Sequence, residues 1–179
     1  MLSVVIPVFN EHPTIGELLG RVQAVPIEKE VIIVDDCSTD GTRMILNNID
    51  EPNVRIVYHQ TNRGKGAAVQ TGFQYVMGNI VIVQDADLEY DPQDYLTVVQ
   101  PILSGEADVV YGSRFLGDHQ FKSPSHYFGN RFLTWLTNRL YACNLTDMET
   151  CYKAIRSEVL REIALTATGF EFEPELTGK

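Results

Sequence analysis

The chain has 179 residues, 44% hydrophobic and 21% charged, enough for one domain with a sizeable core. Its formal net charge of −10 excludes a nucleic-acid-binding surface, which needs a basic face, so an anionic ligand must be held locally by a metal or by a few placed cations. Three cysteines, Cys37, Cys143 and Cys151, without Cys-X-X-Cys spacing, suggest neither a disulfide framework nor a zinc site and fit a reducing cytoplasm.

The opening run Leu2 to Val8 is β-branched and apolar, and Pro7 and Asn10 interrupt it well short of a signal peptide or membrane span. Further runs of this kind follow at Glu30 to Val34, Val54 to Tyr58, Asn79 to Val83 and Ala107 to Tyr111. Between most of them lie segments of helical periodicity beginning near Thr14, Gly41, Gly64, Pro92 and Ser125. Pro13 and Pro92 suit a first helical turn, and Thr14, Asp40 and Asp91 stand nearby as caps. This alternation predicts an α/β fold with an open, mostly parallel sheet flanked by helices. The end, Gly169 to Lys179, resembles the approach to another element, so residues 1–179 are expected to form a single domain cut short at its carboxyl end.

Ligands of such sheets collect outside the carboxyl ends of the strands. Those ends are polar and acidic here: Asn10 and Glu11, then Asp35 to Gly41, Asn62 to Gly66, Asp85-Ala86-Asp87, and Gly112-Ser113-Arg114. All five are expected to meet in one crevice. Asp85 and Asp87, one residue apart after the buried run Ile80 to Val83, suit a hard divalent cation that keeps sites for phosphate oxygens. Taken alone, an Asp-X-Asp is more often a turn cap. Gly64-Lys65-Gly66 lacks the remainder of a phosphate-loop pattern, which argues against a nucleoside triphosphatase.

Together, Val4 to Glu11, Val34 to Thr42, Asn62 to Ala68, Gln84 to Glu89, Gly112 to Arg114 and Leu145 to Asp147 resemble the family 2 glycosyltransferases of the GT-A (Rossmann-like) fold. The nearest branch is that of dolichol-phosphate mannose synthase and the bacterial polyprenyl-phosphate glycosyltransferases. The resemblance implies that Pro7, Phe9, Glu11, Val34 and Asp36 line a nucleotide pocket, and that Asp85, Ala86 and Asp87 contact donor ribose and phosphates. Asp87 and Glu89, with Asp85, are the implied ligands of Mg2+ or Mn2+. Lys65 can approach the donor from a helix N-terminus, and Arg114 and Arg131 are associated with the acceptor phosphate or the donor diphosphate. Asp147 is implied at the border of the reaction centre as a catalytic or orienting residue, and Glu149 is a second carboxylate there.

The implied activity is metal-dependent, inverting transfer of a hexose from a UDP- or GDP-sugar to a polyprenyl or dolichyl phosphate, peripheral to the cytoplasmic face of a membrane. The alternatives are a transferase acting on a saccharide hydroxyl and a sugar-nucleotide-binding module without turnover. The stripe Phe128, Phe132, Trp135, Leu136 and Leu140 is read mainly as core packing, with Tyr127 and Trp135 as candidates for lipid contact. Glu171, Glu173 and Glu175 alternate with Phe170 and Phe172, and the pattern predicts a strand with a solvated acidic face.

Overall fold

The computed structural model describes residues 1–116 and 124–179. Among them six strands form one sheet: β1 (Leu2–Val8), β2 (Lys29–Asp35), β3 (Val54–Tyr58), β4 (Ile80–Val83), β5 (Val109–Tyr111) and β6 (Lys153–Arg156), in the order β3-β2-β1-β4-β6-β5. β1 pairs in parallel with β2 and β4, and β2 with β3, whereas β6 runs antiparallel to both β4 and β5. The mostly parallel open sheet predicted from the alternation is therefore present. Its central strands are buried on both faces, as continuous rather than alternating apolar runs require. Val4, Val5, Ile6, Ile32, Ile33 and Ile82 are fully buried, each contributing about 1.5–3 kcal/mol of hydrophobic stabilisation.

Helices α1 (Ile15–Ala24), α2 (Thr42–Leu46), α3 (Lys65–Phe73), α4 (Tyr95–Leu103) and α5 (Pro124–Tyr141) start close to their predicted positions. In α1 the buried Ile15, Leu18, Leu19 and Val22 recur at the spacing of one helical face. Ahead of α4, Asp91 accepts a bond from Gln93 N and caps a short 3-10 turn at Pro92–Asp94. Asp40 serves the same end for α2, accepting from Thr42 N at 3.0 Å. α3 lies close on β1 because residue 72 is glycine: a Cβ there would overlap Val5 Cγ1.

Three features depart from the sequence reading. β6 was not anticipated, and by inserting between β4 and β5 it moves the end of β5 away from the other strand ends. The acidic tail is helical, α6 (Ser157–Glu162) being followed by α7 (Phe172–Gly178), whose Glu173 is buried rather than solvated. Most of the apolar stripe of α5 is not core. Phe128, Phe132, Trp135 and Leu140 are exposed, while the polar Asn130 and Thr134 face inward. The reason is hydrogen bonding: Asn130 Nδ2 donates to Asp147 at 2.7 Å, and Thr134 Oγ1 accepts from Met148 N at 3.1 Å. Among the described residues no helix is long and apolar enough to cross a membrane.

Candidate functional site

Four strand ends build one cleft of about 460 Å³, lined by Pro7, Phe9 and Glu11 after β1, Asp36 after β2, Asn62, Gly64 and Lys65 after β3, and Asp85, Ala86 and Asp87 after β4. Phe9 is half exposed at its edge. Val34 does not line this cleft: it is fully buried in β2, beneath Gly72 of α3.

Asp36 is nearly buried, and its carboxylate ties three elements together. It accepts from His59 Nδ1 at 2.6 Å, from Arg63 N at 2.9 Å and from Gly64 N at 2.7 Å. His59 is braced in turn by Thr71 Oγ1 at 3.0 Å. Arg63 N is shared with the second carboxylate oxygen at 3.0 Å, so the roughly four lone-pair positions of the carboxylate are filled, and a ligand N–H or O–H is received only where this bifurcated bond yields one. The preceding Asp35 is fully buried and belongs to the scaffold, its carboxylate held by Arg43 Nε at 2.6 Å.

The acidic loop after β4 is fixed from below. Buried Gln84 accepts from Tyr95 Oη at 2.7 Å and Tyr152 Oη at 2.6 Å, and donates to Asp85 O at 2.9 Å. Leu88 adopts a left-handed backbone, φ 61°, which is uncommon away from glycine and asparagine. Asp87 accepts from Glu89 N at 3.0 Å. Asp85 is paired with Lys65 Nζ at 2.8 Å. Glu89 turns to the other side of the loop, 3.6 Å from Arg114 Nη1.

Among the described residues no three acidic, histidine or cysteine side chains come together as a metal site. Of the three carboxylates expected to hold a metal, Asp85 and Asp87 line the cleft and fit an ion such as magnesium, which takes one or two protein carboxylates and fills its remaining positions with substrate phosphates and water.

Arg114 and Glu89 line a second cleft of about 490 Å³ between α4 and the end of β5, together with Tyr90, Tyr111, Ser113 and Tyr152. The predicted single crevice is thus two clefts separated by the acidic loop. Arg114 is committed to Asp147: its Nε and Nη2 donate to the two carboxylate oxygens at 2.8 and 3.0 Å, and its backbone N donates at 3.1 Å. Burial alone would push the Asp147 carboxyl up; the bonds from Arg114 and Asn130 reverse this and hold it below the ordinary range. A fully buried, ionised and saturated carboxylate orients Arg114 and is not a proton acceptor. Glu149 differs, with one buried oxygen lacking a hydrogen bond among the described residues and a carboxyl raised chiefly by burial. Arg131 is exposed on α5, its guanidinium 5.4 Å from the Phe115 ring centroid.

Sequence reasoning missed the segment that closes one side of the first cleft. Ala67 N at the start of α3 donates to Thr168 O at 3.0 Å, and Gln70 Nε2 to Ala167 O at 2.7 Å. Gly64, at φ 93°, lets the chain approach, since a Cβ there would stand 2.5 Å from Thr168 O. Phe170, which follows, lines the cleft, and its ring centroid lies 5.9 Å from Lys65 Nζ.

Known proteins resemble this chain in sequence and fold. Dodecaprenyl-phosphate galacturonate synthase of Rhizobium johnstonii is 30% identical over 97% of this chain and 53% of its own length. Undecaprenyl-phosphate mannosyltransferase of Micrococcus luteus is 27% identical over 97% of this chain and 74% of its own. The low-salt glycan biosynthesis hexosyltransferase Agl6 of Haloferax volcanii is 30% identical over 98% and 43%. The chain thus spans between under half and three quarters of the length of these relatives. Among solved structures, glucosyl-3-phosphoglycerate synthase from Mycobacterium tuberculosis, in complex with Mn2+, UDP and phosphoglyceric acid, superposes with a TM-score of 0.74. It is 23% identical over 97% of this chain and 61% of that one, which shows a shared GT-A fold. The glycosyl transferase family 2 profile matches residues 3–164, and the chain belongs to that family.

Proposed function

We propose that the protein transfers a hexose from a nucleotide sugar to a polyprenyl phosphate at a membrane surface. The observation that carries this reading is the convergence of Asp36, Lys65, Asp85 and Asp87 on one cleft floored by Pro7, Phe9 and Glu11. Relatives named for polyprenyl-phosphate sugar transfer support the acceptor class.

In this reading the nucleoside rests against Phe9, with Asp36 accepting from its base or ribose, and the diphosphate lies between Lys65 and the acidic loop. Asp85 and Asp87 would hold a divalent cation, which when bound supplies charge neutralisation to the leaving diphosphate. The acceptor is a phosphate monoester whose second pKa lies near 6, so at neutral pH it is already a nucleophilic oxyanion and needs no general base. Its oxygen forms the new bond to the anomeric carbon as the bond to the nucleoside diphosphate breaks, which gives inversion. Alignment is the chain's task. With the Arg114 fork taken by Asp147, Arg131 is the guanidinium assigned to the acceptor phosphate, and Arg114 holds the loop between the two clefts. The exposed Phe128, Phe132 and Trp135, flanked by Arg131 and Arg139, suit a helix lying in a lipid headgroup layer.

The second reading, a saccharide hydroxyl as acceptor, rests on Glu149, whose raised carboxyl is suited to general-base work. Transfer from UDP-glucose or GDP-mannose, followed by mass spectrometry, separates the two. Product is expected with undecaprenyl phosphate and not with undecaprenol, and EDTA should abolish it. Arg131→Ala should lower the rate about 100-fold, the loss of charge-assisted bonds to phosphate, without weakening nucleotide binding. Transfer to a sugar hydroxyl that needs Glu149 would favour the second reading, and nucleotide binding without any transfer would favour a binding module.

A further inference from the structure

Two buried charges have no part in the chemistry above. Lys153 on β6 is 1% exposed and Glu173 on α7 is 5% exposed. They pair directly with each other. Lys153 also donates to Thr150 O, and its Nζ lies 5.2 Å from the Tyr111 ring centroid. Burying such a pair gains little stability over an apolar pair of the same volume, which calls for another reason to keep it.

The pair does not end in the core. Glu173 Oε1 lies 3.4 Å from Lys65 Nζ, and Lys65 contacts Asp85 at the cleft. The four side chains form an alternating series, Asp85, Lys65, Glu173, Lys153, running from the cleft wall into the interior. Glu173 Oε1 makes no hydrogen bond among the described residues, so it is an acceptor available to Lys65 when Asp85 is engaged elsewhere. Resting on the donor-site reading above, we propose that Glu173 is a positioning residue: fixed by Lys153, it holds the Lys65 ammonium at the place where the donor diphosphate binds. The bonds that the Ala167 and Thr168 carbonyls accept from the Gln70 side chain and Ala67 N of α3 tether the segment that leads into α7, and with it Glu173, relative to Lys65. Through Glu173, α7 thereby becomes part of the donor site without touching the donor.

The test is titration of UDP and GDP, each beside its own nucleoside and all with magnesium present, followed by ligand-observed NMR. The proteins are the unmodified chain, Glu173→Gln, Lys65→Met and the double variant. For whichever nucleotide binds, Glu173→Gln should weaken the diphosphate about tenfold, the order expected for one charge-assisted contact. It should leave the nucleoside unchanged and cost nothing further once Lys65 is methionine. Glu173→Gln combined with Lys153→Met strands neither buried charge, and should show the same selective loss if the single variant folds poorly. Equal losses for nucleoside and diphosphate, or a full loss in the Lys65→Met background, would overturn the positioning role alone. Absence of binding by the unmodified chain would overturn the donor site and this inference with it.

Discussion

Replacing Asp147 with alanine should destabilise the fold by about 3–5 kcal/mol, the cost of removing one partner of a buried ion pair and stranding the other. Asp147 is fully buried and saturated by Arg114 and Asn130. The variant would leave the guanidinium facing a cavity and the inward amide of α5 without its acceptor. Chemical denaturation gives the measurement, and Asp147→Asn should fall between the two because it keeps one acceptor oxygen. The pH dependence has a defined sign. The folded-state carboxyl lies below its ordinary value of 3.8, so its contribution is fully present above that value and is lost as pH falls through the lower folded one. Acid unfolding of Asp147→Asn should lack this component. A loss under 1 kcal/mol for Asp147→Ala would mean that Arg114 has another partner of equal worth.

Asp36→Ala should cost about 2–4 kcal/mol in stability, since bonds from His59, Arg63 N and Gly64 N to one buried carboxylate are lost together. Nucleotide affinity should fall further than stability implies, by about 100-fold. The Arg63–Gly64 turn that leads into α3 is placed by this side chain, and the acceptor position that the bifurcated Arg63 bond can yield to the ligand goes with it. Asp36→Asn, which can accept with one oxygen only, should bind with intermediate affinity while melting closer to the unmodified protein. Urea denaturation and nucleotide titration on the same preparations check both parts, and unchanged affinity in Asp36→Ala would remove this residue from the donor site.

Much of this architecture is legible in the residues because β1 to β4 are continuous β-branched runs whose polar ends stand where an open sheet binds ligands. What could not be read depends on pairings distant in sequence. β6 is short and begins with a lysine, and Lys153 is tolerated inside because Glu173, 20 residues on, and Thr150 O both accept from it. Without β6, the sequence pattern groups the end of β5 and Arg114 with a cleft that they do not line. The helical spacing of Phe128, Phe132 and Trp135 identifies a face of α5 but not the side on which it lies. The sign was set by Asp147, which draws Asn130 inward and leaves the aromatic face outside. The placement of Glu89 beside Arg114, across the loop from Asp85 and Asp87, likewise follows from the turn at Leu88 and not from carboxylate spacing.

The measurement that bears most directly on the proposed donor site is calorimetric titration of UDP and GDP, each with and without manganese, into the protein and into Asp87→Ala. One nucleotide should bind tightly and only with manganese, and Asp87→Ala should abolish that binding. Binding of neither nucleotide, or binding that is indifferent to both manganese and Asp87, would contradict it.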